Sequence, residues 1–175
     1  MLKPDLDLLA RARELVADVT PLTGDCGLLC QKRCCTGEET QLLGMILFPG
    51  EKELMEGISG YTFSPTGWLF DGSPATLAQC TGPCDRRTRP LACRLFPLAF
   101  YLDEKKHLKL ILEPLAKPVC PLCASGLSGL RSDFRHAAAA CARLLVQDPV
   151  QKAFIEALSR QTDAVRRDPF YRLGR

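Results

Sequence analysis

The chain has 175 residues, 46% of them hydrophobic and 25% charged, the balance of a globular protein that buries a core, and no tract is biased enough to be disordered. Its 23 Lys and Arg against 20 Asp and Glu leave a formal charge of +3, too small to imply nucleic acid as a partner. Ten cysteines stand out against this ordinary background.

The opening run MLKPDLDLLARARELVADV mixes acids with leucines. It lacks the apolar length of a membrane span and the cleavage site of a signal peptide, so a cytoplasmic chain without a membrane partner is expected. Asp5 caps a predicted helix running to about residue 19, with Leu8, Leu9, Ala12, Leu15, Val16 and Val19 on one face and Pro21 ending it. The apolar run LLGMILF leads to Pro49 and Gly50, after which a short helix is expected over 51–57. From there to residue 79, Tyr61, Phe63, Trp68 and Phe70 alternate with Gly, Pro and Ser, predicting short strands joined by turns.

FPLAFYLDEKKHLKLILE reads as a hairpin with strands at 98–102 and 108–112 around a charged turn. Two helices are predicted at the carboxyl end, 132–147 and 149–166, the second capped by Asp148 with Pro149 in its first position. Phe134, Ala138, Cys141 and Leu145 share a stripe of the first, and Val150, Phe154, Ala157 and Leu158 a stripe of the second. That is the pattern of an antiparallel pair, and it makes Cys141 a core residue. The expected fold is one α+β domain over residues 1–175. An irregular cysteine-rich metal-binding centre with short β-hairpins occupies 26–123, flanked by an N-terminal helix and by C-terminal helices over 130–166.

Nine cysteines fall in three groups: Cys26, Cys30, Cys34 and Cys35; Cys80, Cys84 and Cys93; Cys120 and Cys123. Reducing compartments keep thiols unpaired, so such a framework points to metal or redox chemistry rather than structural disulfides, and all nine are candidate ligands. Cys26, Cys30 and Cys34 are spaced to line one helix face while Cys35 points elsewhere, which suggests two neighbouring sites or one polynuclear cluster. A Cys34–Cys35 disulfide would need unusual backbone strain. Gly82 and Pro83 make a tight turn between Cys80 and Cys84, and Cys120 and Cys123 form a CxxC turn of the kind that delivers two thiolates to one tetrahedral ion. Lys32, Arg33, Arg86, Arg87, Arg89 and Arg94 lie close in sequence to cysteines, where cations favour thiolate. Eight thiolates on two Zn²⁺ would take the net charge from +3 to about −1, so these cations read partly as local compensation.

The run Arg89–Pro90–Leu91–Ala92–Cys93–Arg94–Leu95–Phe96–Pro97 resembles the RPxxCRxFP signature of the YkgJ-type, or CxxCxxCC, cysteine-cluster proteins. Cys26, Cys30, Cys34 and Cys35 resemble the preceding signature, with three residues rather than the common two between the first pair, and Cys84 matches the cysteine before the RP pair. The resemblance implies a small cytoplasmic zinc- or iron-chelating protein and supplies no reaction. The cysteine-rich portion of flagellin lysine methylases is similar as well, which keeps an iron–sulfur reading open. Within the signature, Pro90 and Pro97 would fix the backbone on either side of Cys93, and Arg89 and Arg94 would donate hydrogen bonds to thiolate or nearby carbonyls.

The two histidines, His107 in the hairpin turn and His136 early in a helix, stand beside no recognisable catalytic partners, though His107 could complete a mixed Cys/His ligand set. Three functions follow. The first is a protein whose partner is a metal ion, with zinc as cofactor, chelated by clustered cysteines. The second is an iron or iron–sulfur protein with a redox or sensing role. The third is a metal-dependent enzyme or methylase-like accessory, for which the sequence supplies no catalytic set.

Overall fold

Asp5 opens the first helix, its carboxylate accepting the Leu8 amide at 2.9 Å. The computed structural model describes residues 2–24, 26–34, 44–81 and 85–169. Helix α1 spans Leu6–Glu14, five residues short of the predicted end. The Arg13 carbonyl accepts both Arg94 Nη1 at 2.8 Å and the Val16 amide at 3.3 Å, and Ala17 N–H goes to Glu14, so the last turn tightens instead of continuing. The buried face is Leu8, Leu9, Ala12, Arg13 and Val16, while Leu15, expected inside, is 42% exposed.

The first cysteine group does not form one helix. Helix α2 covers only Gly27–Cys30, and Gln31 and Lys32 both take the left-handed conformation, with Lys32 N–H closing back on the Gly27 carbonyl. Strand β1 (Met45–Ile46) precedes helix α3 (Glu51–Leu54), which is shorter than expected. Gly50 sits at φ +82°, a conformation side chains rarely adopt, and a Cβ there would lie 2.5 Å from Leu6 Cδ2, so the Leu6 side chain would have to shift to admit one.

Strands β2 (Tyr61–Phe70) and β3 (Ser73–Cys80) form one long hairpin where several short strands were predicted. Asp71 and Gly72 make its two-residue turn with φ of 51° and 78°, the twist that matches flanking strands. The pairing slips between Pro65 and Leu69, which accommodates the proline that cannot donate to a ladder. With β1 on the other edge of β3 the sheet order is β1-β3-β2.

Helix α4 (Leu91–Leu95) leads into the predicted second hairpin, β4 (Leu98–Leu102) and β5 (Leu108–Leu112), paired from Leu98↔Leu112 to Leu102↔Leu108. Short 3₁₀ turns at Pro114–Ala116, Pro121–Ser125 and Leu127–Gly129 connect it to α5 (Ser132–Leu145) and α6 (Pro149–Arg167). Asp148 caps α6 through Val150 N–H at 2.8 Å and accepts the Asp5 amide at 2.9 Å, tying the two ends of the described chain together.

The protein is mixed helix and sheet, as the α+β expectation requires. The C-terminal helices, however, do not pack along one another. Helix α5 lies on α1 and β5, and α6 lies on β4. The stripe of α6 is rotated accordingly, with Gln151, Ile155 and Ser159 buried and Val150 and Leu158 only half-buried. Ser159 accepts the Leu102 amide at 2.9 Å, satisfying a backbone donor of β4 that a purely apolar stripe would leave unpaired. Phe154 meets Phe48, Trp68 and Phe70 at centroid distances of 5.0–5.5 Å, joining the larger sheet to the helical core. Among the described residues no helix is long and apolar enough to cross a membrane.

Cys141 is fully buried in the α5 stripe, and burial pushes its thiol pKa up, so it stays a neutral core residue. Cys141→Ala is expected to leave the content of any bound metal unchanged and to cost about 1–2 kcal/mol, the range of small core truncations, measurable by urea unfolding and elemental analysis together. Loss of a metal equivalent would make it a ligand.

Candidate metal centre

Four segments bring cysteines to one place. The left-handed turn at Gln31 and Lys32 folds the first group back on itself, β3 ends at Cys80, α4 carries Cys93, and Pro121 starts the turn that follows Cys120. Cys26, Cys30, Cys34, Cys80, Cys93 and Cys120 together line a cavity of about 60 Å³. That is several times the space one water molecule needs. Cys35 and Cys84 lie outside the described residues.

Cys123 does not line the cavity but lies beside Cys120, and the Cys123 side chain together with the backbone N–H groups of Leu122 and Cys123 favours negative charge on the Cys120 sulfur. Desolvation nevertheless dominates, raising the pKa of Cys120 and pushing that of Cys123 up to about 11. Because the thiolate is the reactive form and the ordinary cysteine value is 9.0, Cys123 in metal-free protein should carry about a hundredfold less thiolate than an ordinary thiol near neutrality. Iodoacetamide labelling read by peptide mapping is expected to be correspondingly slow at Cys123, accelerating only as the pH approaches 11; a rate like that of an exposed thiol at neutral pH would refute this.

Arg86 and Arg89 also line the cavity, and its described lining holds no carboxylate or imidazole. Arg86 donates to the Val19 carbonyl and, at 3.2 Å, to that of Arg94, while its buried Nε has no hydrogen-bond partner among the described residues. Burial and neighbouring Arg89 lower its pKa, partly offset by Cys26. An arginine held beside thiols with a spare N–H is suited to donate to thiolate sulfur. Arg94 plays a different part. It is 1% exposed and donates to the carbonyls of Arg13, Arg87 and Arg89, the last at 3.0 Å, so of the two expected acceptors it uses carbonyls rather than sulfur. Phe96 packs on the cavity wall.

His107 is not brought to the cysteines. Its ring is 67% exposed at the hairpin tip, 3.3 Å from Asp103, in an open groove with Tyr101 and Arg166. His136 lies exposed on α5. The mixed Cys/His set is therefore not formed, because a tight β4–β5 turn holds His107 at the far end of the strands from Cys120. No disulfide joins any two described cysteines. Nor, among the described residues, do three Cys, His, Asp or Glu side chains stand close enough to hold one ion without moving inward.

One feature escaped the sequence. Glu51, fully buried, accepts from Arg13, from the Leu91 amide at 2.6 Å and from the Phe48 amide at 3.1 Å. Desolvation raises its pKa against the opposing pull of Arg13. No family model matches the chain, and neither a curated protein nor a solved structure was found to match it.

Proposed function

We propose that this is a cytoplasmic metal-binding protein of the YkgJ-like cysteine-cluster kind, holding zinc or iron through thiolates from Cys26, Cys30, Cys34, Cys35, Cys80, Cys84, Cys93, Cys120 and Cys123. The observation that carries the reading is the convergence of six of these thiols, from four segments, on one cavity whose charged lining is arginine. The donor set fits. All-sulfur ligation suits zinc and iron–sulfur clusters, and the spare Nε–H of Arg86 offers the outer hydrogen bond that thiolate ligands take. When bound, such a metal would cross-link the segments and draw the thiols inward. Arg86 and Arg89 would offset the negative charge of the thiolates, and the turns at Gln31–Lys32 and Pro121 would present the neighbouring sulfurs to the cavity.

One observation favours the iron–sulfur alternative, or a pair of zinc ions, over a single zinc. Six described thiols meet at the cavity, and one tetrahedral ion uses four. Elemental analysis and visible absorption of protein purified aerobically and anaerobically without chelator decide the matter. Stoichiometric zinc in colourless protein supports the first form, and stoichiometric iron with charge-transfer absorption the second. Near-zero metal with fully titrating thiols would end the reading.

A further inference from the structure

Helix α4 has five residues, too few to hold its own shape in water, yet it presents Cys93 to the cavity. Buried charge supplies the hold. Glu51 takes the Leu91 N–H at 2.6 Å and the Phe48 N–H at 3.1 Å, while its ion pair with Arg13 ties that grip to α1. Arg94, next to Cys93, reaches the carbonyls of Arg13, Arg87 and Arg89. The segment around Cys93 is thus gripped from behind at 87, 89, 91 and 94. Packing has no need of this arrangement, since buried ion pairs are often replaceable by apolar residues without loss of stability.

We infer that Glu51 is a positioning residue for the Cys93 thiolate, setting the direction from which that sulfur meets the metal. The inference rests on the metal-binding reading of the cavity. It is specific to one ligand. Among the described residues the hydrogen bonds and ion pair of Glu51 go to Arg13, Phe48 and Leu91, and of these only Leu91 belongs to a segment that bears a candidate ligand.

The test uses the full chain, cobalt(II) as the probe, and a double-mutant cycle of Glu51→Gln with Cys93→Ser. Gln keeps the volume of Glu51 but turns an N–H₂ toward groups that are themselves donors. Cobalt(II) affinity of Glu51→Gln is expected to fall at least tenfold, and its thiolate-to-cobalt absorption per ion should drop to that of Cys93→Ser. In the Cys93→Ser background the same change should cause no further loss, the non-additivity expected of groups acting through one another. Equal losses in both backgrounds, or an unaltered spectrum in folded Glu51→Gln, would overturn the inference.

Hydrogen exchange on metal-free protein separates this from failure of the parent reading. Amides of 91–95 should exchange at least tenfold faster in Glu51→Gln, with α6 unchanged. If the wild-type chain gives no thiolate–cobalt band, the metal reading falls, and the exchange result alone decides whether Glu51 orients the Cys93 segment. If Glu51→Gln fails to fold, Glu51→Asp, which keeps the charge but withdraws it from Leu91, takes its place in both measurements with the same outcomes decisive.

Discussion

Arg94→Ala is expected to destabilise the protein by about 3–5 kcal/mol, the range reached when several buried backbone acceptors lose their donor and a large buried side chain is removed. The guanidinium is 1% exposed and satisfies three backbone carbonyls, so its loss strips hydrogen bonds from Arg13, Arg87 and Arg89 and empties a large side-chain volume in one step. It also removes a positive charge whose field acts on Glu51, although the carboxylate's hydrogen-bonded cation is Arg13. Arg94→Lys should recover little, because one ammonium cannot span carbonyls that a planar five-donor fork reaches. Urea unfolding checks both variants. A loss below about 1 kcal/mol for Arg94→Ala would mean the carbonyls find water instead, and the network would cease to explain how α4 is held.

That network marks where the sequence stops being legible. Regular periodicity did its work: the strands 98–102 and 108–112 and the caps at Asp5 and Asp148 are local patterns, set by alternation and by side chains bonding amides two or three residues away. In α1 the same reasoning exchanged Arg13 for Leu15. Hydrophobic pattern assigns leucine inward, and only the distant Glu51 makes burial of an arginine favourable. The Asp71–Gly72 turn was a signal in plain view, and reading it would have joined β2 to β3. The cysteine site divides in the same way. Spacing alone nominated every thiol that now lines the cavity, but it imposed a helix on 26–34 where a left-handed turn does the aligning. No local pattern announces that turn, because Gln31 and Lys32 carry none of the glycine that usually marks positive φ.

Removal of the metal is expected to loosen part of the centre only. Within 26–123, β4 and β5 have a core of their own: Leu98, Phe100 and Leu102 are buried, with α6 packed on β4 and α5 on β5. The segments without such support are different. Helix α2 is four residues long with Leu28 and Leu29 79% and 60% exposed, and the turn Pro121–Ser125 buries Leu122 alone. A metal joining them closes a loop of nearly a hundred residues, and little else in either segment offsets that entropy. Chelation should therefore raise amide exchange at least tenfold across 26–34 and 121–125 while β4, β5, α5 and α6 keep their protection. Cys93→Ser should reproduce much of the effect, because Cys93 shares the cavity with the first group while Arg94 fixes α4 to α1. Unchanged exchange at 26–34 and 121–125 would show that the cysteines do not organise the fold, and would move the reading from a structural metal toward one that is transferred, stored or used for electron exchange.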